Sequence, residues 1–225
     1  MTKRLTRTLP SEDVVASPRR VWTVVIPVKP AAIGKSRLQL PGVRREEMAR
    51  AIALDTIEAV SGCDRVAQVI VVIRDDETER MLRGFDRVRV VHDDGAGLGA
   101  AIAVGLASAR GDRAVLLGDL PALHLHQLSY ALDAAGAFAR GFVPDADEVG
   151  TCLATARAGA AFEPAFGPDS AALHRARGFV ELRLPVSWGL RRDVDTAEHV
   201  AVARRWGLGP RTAALVGAAL VGSAA

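Results

Sequence analysis

Aromatic side chains are scarce in this chain, which has six Phe, three Trp and one Tyr among 225 residues. That scarcity removes the stacking platform on which single-stranded nucleic acid is held. A net charge of +3, with the signs scattered, is too mild for a nucleic-acid footprint. Cysteine is equally rare. Cys63 and Cys152 stand far apart, form no metal-ligand spacing and point to a reducing compartment, where they read as small apolar packing groups. Residues 1–20 are polar and basic and lack the apolar stretch of a secretory signal, so a disordered leader is expected there. No apolar run spans a bilayer. The C-terminal TAALVGAALVGSAA is only about fourteen residues long and is expected to be a helix lying on the body or on a partner subunit. These absences point away from nucleic acid and membrane and toward the cytoplasm.

Several catalytic signatures are missing as well. Gly34-Lys35-Ser36 ends like a phosphate-binding P-loop, but the glycine required five residues earlier is Lys29, which cannot let the backbone curl around phosphates. The run Gly95-Ala96-Gly97-Leu98-Gly99 is followed by Ala100 and does not follow the first strand, so it fails as a dinucleotide fingerprint. It reads instead as a loop that lets a base approach the backbone. No His-x-x-x-His pair, triad partner or Gly-x-Ser-x-Gly elbow is present, which argues against acyl transfer.

What is present is a regular alternation. Short β-branched runs such as WTVVIPVK, VAQVIVVI and DRAVLLG are followed by helical patterns such as REEMARAIALDTIEAV and LGAAIAVGLASARG. VELRLPV reads as a late strand and DVDTAEHVAVARRWG as a capped helix. Strand–helix alternation without a composition break or repeat predicts one α/β domain over residues 21–215, a mostly parallel sheet with helices on both faces, and a tail at 216–225.

In such sheets ligands bind at the carboxyl ends of the strands. Lys29, Lys35 and Arg37 lie in the loop after the first strand and could cradle a triphosphate. Asp119 follows AVLLG, where a carboxylate suits Mg²⁺. Asp193 and Asp195 would face the same way in an extended segment, although Asp195 or Thr196 could instead cap a helix with Glu198 completing a capping box. Gly150-Thr151 and the FGPDS segment, Phe166 to Ser170, offer a turn and a helix start for a small anionic acceptor, or a simple cap.

Taken together, IPVKPAAIGKSRL, LLGDLPAL, DADEVGT, FGPDSAALH and RRDVDT resemble the guanylyltransferases that act on phosphoenolpyruvate or 2-phospho-L-lactate in deazaflavin coenzyme F-420 biosynthesis. These are relatives of the molybdenum-cofactor guanylyltransferases, with a Rossmann-like, glycosyltransferase-A-like nucleotidyltransferase fold. The likeness runs from about residue 22 to about residue 215 and is most specific at FGPDS and DVDT. It implies a GTP-binding transferase that releases pyrophosphate and joins GMP to the phosphate of a small phospho-acid, giving a product such as enolpyruvyl-diphospho-guanosine. It further implies that Lys29, Lys35 and Arg37 hold the triphosphate, with Gly99 near the nucleotide. Asp119, Asp193 and Asp195 would bind Mg²⁺, while Thr151, Gly167 and Ser170 would hold the acceptor. Catalysis would rest on Lys29, Lys35 and Asp119. Hand-over of the product to the next enzyme of the pathway, and an oligomer, fit the same resemblance. The chain departs from the family's pattern where Gly99 follows Leu98 instead of Asn, and where Glu148-Val149-Gly150-Thr151 replaces Gly-Thr-Gly-Thr. A transferase for a pterin cofactor or sugar phosphate, and a noncatalytic GTP sensor, remain the competing readings.

Overall fold

Apolar runs that alternate with amphipathic helices have one economical solution, a sheet covered on both faces, and the computed structural model takes it. It describes residues 21–32, 35 and 37–222; Gly34 and Ser36 of the GKS sequence, and the expected leader, lie outside the described residues. Seven strands form one sheet in the order β3-β2-β1-β4-β6-β5-β7. They are β1 (Trp22–Pro27), β2 (Val66–Ile73), β3 (Val88–His92), β4 (Asp112–Leu116), β5 (Arg140–Pro144), β6 (Thr151–Ala156) and β7 (Val180–Glu181). Neighbours are parallel except at β6, which runs antiparallel to both β4 and β5.

The helices are α1 (Arg45–Ser61), α2 (Asp76–Leu82), α3 (Leu98–Ser108), α4 (Leu125–Ala135), α5 (Ser170–Ala176), α6 (Ala197–Ala203) and α7 (Pro210–Gly222). On one face Leu54 and Ile57 of α1 and Leu128 and Leu132 of α4 cover Val24, Ile26, Val69, Val71 and Leu116. On the other, Ala101 and Ile102 of α3 cover Val25, Ile70, Val72 and Val115. Contact on that second face is close enough that a Cβ on Gly105 would collide with methyls of Val25 and Val72, so glycine sets how near α3 lies to the sheet.

One expectation is revised. The strand over VELRLPV is only Val180–Glu181 long, because its partner β5 ends at Pro144, which has no amide to donate. The carbonyls of Pro144 and Leu184 instead accept hydrogen bonds from the buried Arg191 guanidinium at 3.0 and 2.9 Å. Residues 212–222 of the C-terminal apolar stretch lie in α7, which packs on α1, and the expected boundary at 215/216 falls inside this helix. Asp55 on α1 accepts from the amides of Arg211 and Thr212 at 3.2 and 2.8 Å, an N-terminal cap supplied from another helix. Among the described residues no helix is long and apolar enough to cross a membrane.

Candidate active site

The sheet order reverses between β1 and β4, and the loops that follow these two strands open a crevice at their carboxyl edge. Asp119 enters it from the turn after β4. Three long-range hydrogen bonds hold that turn. Asp119 carbonyl accepts from Val194 amide at 3.0 Å, Pro121 carbonyl accepts from Gly209 amide at 2.7 Å, and Leu120 amide donates to Thr56 Oγ1 at 3.1 Å. The Val194 bond sets Asp119 beside the two aspartates that flank Val194.

How Asp193 and Asp195 become available is decided by the start of α6. Thr196 is its N-cap, accepting from His199 amide at 3.3 Å, so Asp195 is not needed as the cap. Glu198 then sits two residues after the cap, not three, and the expected capping box with Asp195 does not form. Asp195 is left to face the crevice. One carboxylate oxygen from each of Asp119, Asp193 and Asp195 lies within 4.8 Å of the others.

Lys35 lies among them. Its Nζ donates to Asp119 Oδ2 and to Asp195 Oδ1, both at 2.8 Å, and Arg37 lies 3.7 Å from Asp195. The loop delivers Lys35 through a tight turn, Leu38 amide to Lys35 carbonyl at 2.9 Å, anchored by the buried Leu38. Lys35 takes a left-handed backbone conformation at φ 55°, which costs a non-glycine residue about 1 kcal/mol or more. Burial works against the ammonium, but Asp119 and Asp195 outweigh it and raise its pKa. Burial likewise opposes ionisation of Asp195, where Lys35, Arg37 and Lys29 prevail and hold the carboxyl low. At Asp193 the attraction of Lys35 is too weak to prevail. Burial and the like charges of Asp119 and Asp195 push it up to about 6.

This cluster fits a hard divalent cation. Its donors are all carboxylate oxygens. Asp119 Oδ1 is buried with no hydrogen-bond partner, while Lys35 occupies the other oxygen. Two cavities flank the cluster on the β1 side, sharing Pro27, Val28 and Lys29. One, of about 60 Å³, holds Lys35, Asp119 and Asp195. The other, of about 170 Å³, is lined by Arg74, Asp93, Gly95, Gly97 and Leu98. The Arg74 guanidinium lies against Gly95, where a Cβ would collide with it. Gly99 is exposed on the first turn of α3, beside this cavity's rim. A larger groove, about 450 Å³ between α1 and α7, contains none of the clustered carboxylates, so size alone does not locate the chemistry.

β6 begins beside the cluster, and α5 packs on the neighbouring strand β5. Asp145 Oδ1 and Oδ2 accept from the amides of Val149 and Gly150 at 3.0 and 2.8 Å, closing the loop ahead of Thr151. A Cβ on Gly150 would meet the Asp145 carboxylate, so a larger residue there would displace the side chain that closes the loop. Thr151 and Ser170 are buried, and both meet the wholly buried His174: Thr151 Oγ1 at 3.0 Å and the Ser170 carbonyl at 2.8 Å from Nδ1. Gly167 turns at φ 129°, and Asp169 at φ 54° precedes α5 without a side-chain capping bond. Burial raises the thiol pKa of Cys152, next to Thr151, and the charges of Asp193 and Asp119 raise it further, so β6 begins beside the carboxylates.

The structure therefore brings Lys35, Arg37, Asp119, Asp193 and Asp195 into one cluster, with Lys29 lining both adjoining cavities. Thr151 and Ser170 meet at the buried His174, with Gly167 in the turn before α5, and none of the three lines the cavities that flank the cluster. Sequence reasoning missed Thr56, Asp145, His174 and Arg191. Each is a polar residue within a segment that reads as helix or loop; burial marks out Thr56, His174 and Arg191, while the half-buried Asp145 is marked by the two amides it accepts from.

The chain is similar to known proteins over most of its length. A MobA-like NTP transferase domain matches residues 47–187. The phosphoenolpyruvate guanylyltransferase of Salinispora arenicola (strain CNS-205) is 47% identical over 207 residues, covering 89% of this chain and 95% of that protein. The protein of the same name from Streptomyces coelicolor (strain ATCC BAA-471 / A3(2) / M145) is 44% identical, covering 89% and 98%. Among solved structures, 4-diphosphocytidyl-2C-methyl-D-erythritol synthase from Anaerococcus prevotii DSM 20548 shares the fold, with a TM-score of 0.58 at 12% identity over 83% of this chain and 96% of that one. With sequence identity this high over nearly the whole length, and with the carboxylate cluster in place, the chain belongs to the phosphoenolpyruvate guanylyltransferase family of MobA-like nucleotidyltransferases.

Proposed function

We propose that the protein transfers GMP from GTP to the phosphate of phosphoenolpyruvate, with Mg²⁺ held by Asp119, Asp193 and Asp195. The observation that carries this reading is the carboxylate cluster with its open, buried Asp119 Oδ1, beside the glycine-lined cavity. The names of the relatives supply the acceptor, and the sequence resemblance supplies the deazaflavin coenzyme F-420 context. The guanine nucleoside is assigned to the cavity of Arg74, Asp93 and Gly95, and the triphosphate to Lys29, Lys35 and Arg37.

An oxygen of the acceptor phosphate forms a bond to the α-phosphorus of GTP. The bond from that phosphorus to its bridging oxygen breaks, and pyrophosphate leaves with the electron pair. The nucleophile is an anion at neutral pH, so no strong general base is required. The difficulty is gathering negative charge, and Lys29, Lys35 and Arg37 offset it by electrostatic stabilisation and positioning. The bound cation supplies further charge stabilisation at the phosphates. Thr151 and Ser170 orient the acceptor.

The test is an acceptor screen with GTP and Mg²⁺, read by mass spectrometry and pyrophosphate release. The expected result is a guanylylated phosphoenolpyruvate and pyrophosphate, both lost in Asp119→Asn with the fold intact. GTP binding without pyrophosphate release for any phospho-acid would instead identify a sensor. A product only with a pterin or sugar phosphate would identify a different transferase.

A further inference from the structure

Lys35 bonds two of the three carboxylates gathered in the crevice. Its Nζ donates to Asp119 Oδ2 and to Asp195 Oδ1, both at 2.8 Å, and its side chain is only 11% exposed. The third carboxylate, Asp193, brings one oxygen within 4.8 Å of oxygens of the other two. The ammonium is thus a tethered counter-ion, seated where three like charges meet and where water screens them poorly.

A cation from solution that seeks the same carboxylates meets two obstacles in Lys35. One oxygen of Asp119 and one of Asp195 are already engaged, and the ammonium repels a second positive charge at short range. The engagement is incomplete, because Asp119 Oδ1 is buried without a partner. Attraction for a cation is left over, but less than three free carboxylates would offer. Lys35 also lines the cavity of about 60 Å³, together with Lys29, Asp119 and Asp195. An ammonium has three donors on a flexible four-carbon stem. Polyphosphate oxygens in that cavity give it a second set of acceptors within reach of the side chain, while the backbone stays held by the Leu38 amide on the Lys35 carbonyl at 2.9 Å.

We infer that Lys35 gates the metal site: it competes with a divalent cation for Asp119 and Asp195 until triphosphate oxygens draw its ammonium away, so that cation and nucleotide bind cooperatively. The inference rests on the reading of Asp119, Asp193 and Asp195 as the metal ligands. Beside holding the triphosphate, Lys35 then acts before the nucleotide arrives. It keeps the three carboxylates together, and it makes the site a poor one for a cation that comes without its nucleotide. By linkage, each ligand raises the affinity for the other by the same factor.

The experiment titrates the full chain with Mn²⁺ and no nucleotide, following the free ion by its EPR signal. Lys35→Met is expected to bind Mn²⁺ about tenfold or more tighter than the wild type, the factor that one hydrogen bond to a charged group is worth. Arg37→Met controls for charge in general. Arg37 lies 3.7 Å from Asp195 but is 74% exposed and screened, so its removal should change the affinity less than about fivefold. Equilibrium dialysis of GTP with and without Mn²⁺ then gives the coupling, expected to be several-fold larger in the wild type than in Lys35→Met. An equal coupling in both overturns the inference. So does equal tightening of Mn²⁺ in Arg37→Met, which would show a general charge effect. Mn²⁺ affinity unchanged or weaker in Lys35→Met, with binding lost in Asp119→Asn, overturns the inference and leaves the metal site standing. If Asp119→Asn binds Mn²⁺ as well as the wild type does, the metal reading fails and the inference falls with it. Should Lys35→Met not fold, Lys35→Gln removes the same charge and is read in the same way.

Discussion

Replacing Thr56 with Val removes a hydroxyl at constant shape from a residue that is fully buried on α1. Two hydrogen bonds disappear, but they are not equivalent. The Ile52 carbonyl, which accepts from Thr56 Oγ1 at 2.9 Å, keeps its helical amide partner. The Leu120 amide, 3.1 Å from that oxygen, has no such reserve and is left buried without a partner. One orphaned buried amide costs about 1–3 kcal/mol, and the isosteric methyl recovers part of it. Urea unfolding should show a loss in that range with an unchanged denaturant slope. The functional consequence follows from position. Leu120 is the residue after Asp119, so a turn that shifts to hydrate the amide moves the carboxylate, and a displacement near 1 Å can cost about a hundredfold in rate. Expected in steady-state kinetics are a kcat lowered about tenfold or more and a weakened response to divalent cation. Thr155→Val, at a buried threonine whose hydroxyl donates to the Gly141 carbonyl within the sheet, provides the control and should lose stability with unchanged cation dependence. A Thr56→Val protein with lowered stability but normal kinetics would refute the claim that this bond positions Asp119. Unchanged stability would refute the bond itself.

Lys35→Ala should raise the GTP KM about tenfold or more, as expected for loss of a charged hydrogen-bonding group, without weakening the apparent affinity for divalent cation. The ammonium contacts two of the three cluster carboxylates, and a fall in cation affinity in titrations monitored by activity would count against this role. Acid stability should carry a His174 signature. Burial, with Arg177 adding repulsion, lowers its pKa from 6.5 to about 4, so the unfolded chain binds the proton first as pH falls. The stabilisation is complete above 6.5 and is lost between there and about 4, amounting to about 3 kcal/mol at the low end. Unfolding free energies at pH 7 and 4.5 should differ less in His174→Phe than in the wild type, and an equal difference would show that His174 does not titrate as buried.

Much of this protein follows from local pattern. Continuous β-branched runs can be buried only in a sheet covered on both faces, and this places Lys29 and Asp119 at one sheet edge because each directly follows such a run. The spacing of Asp193 and Asp195 likewise puts two carboxylates within one short segment. What pattern does not contain is the partner of each polar group. Lys35 bonds Asp195 across 160 positions of sequence, and Leu120 is held by Thr56 from 64 positions away. Whether Asp195 caps a helix or faces the crevice depends on Thr196 taking the cap, and both options suit the same letters. His174 reads as an ordinary residue of a short helix until burial removes water and forces its two nitrogens to choose partners. Local sequence sets which residues reach the edge. Only the tertiary structure, by excluding water and fixing long-range neighbours, decides which of them are charged, which donate and which are free to bind.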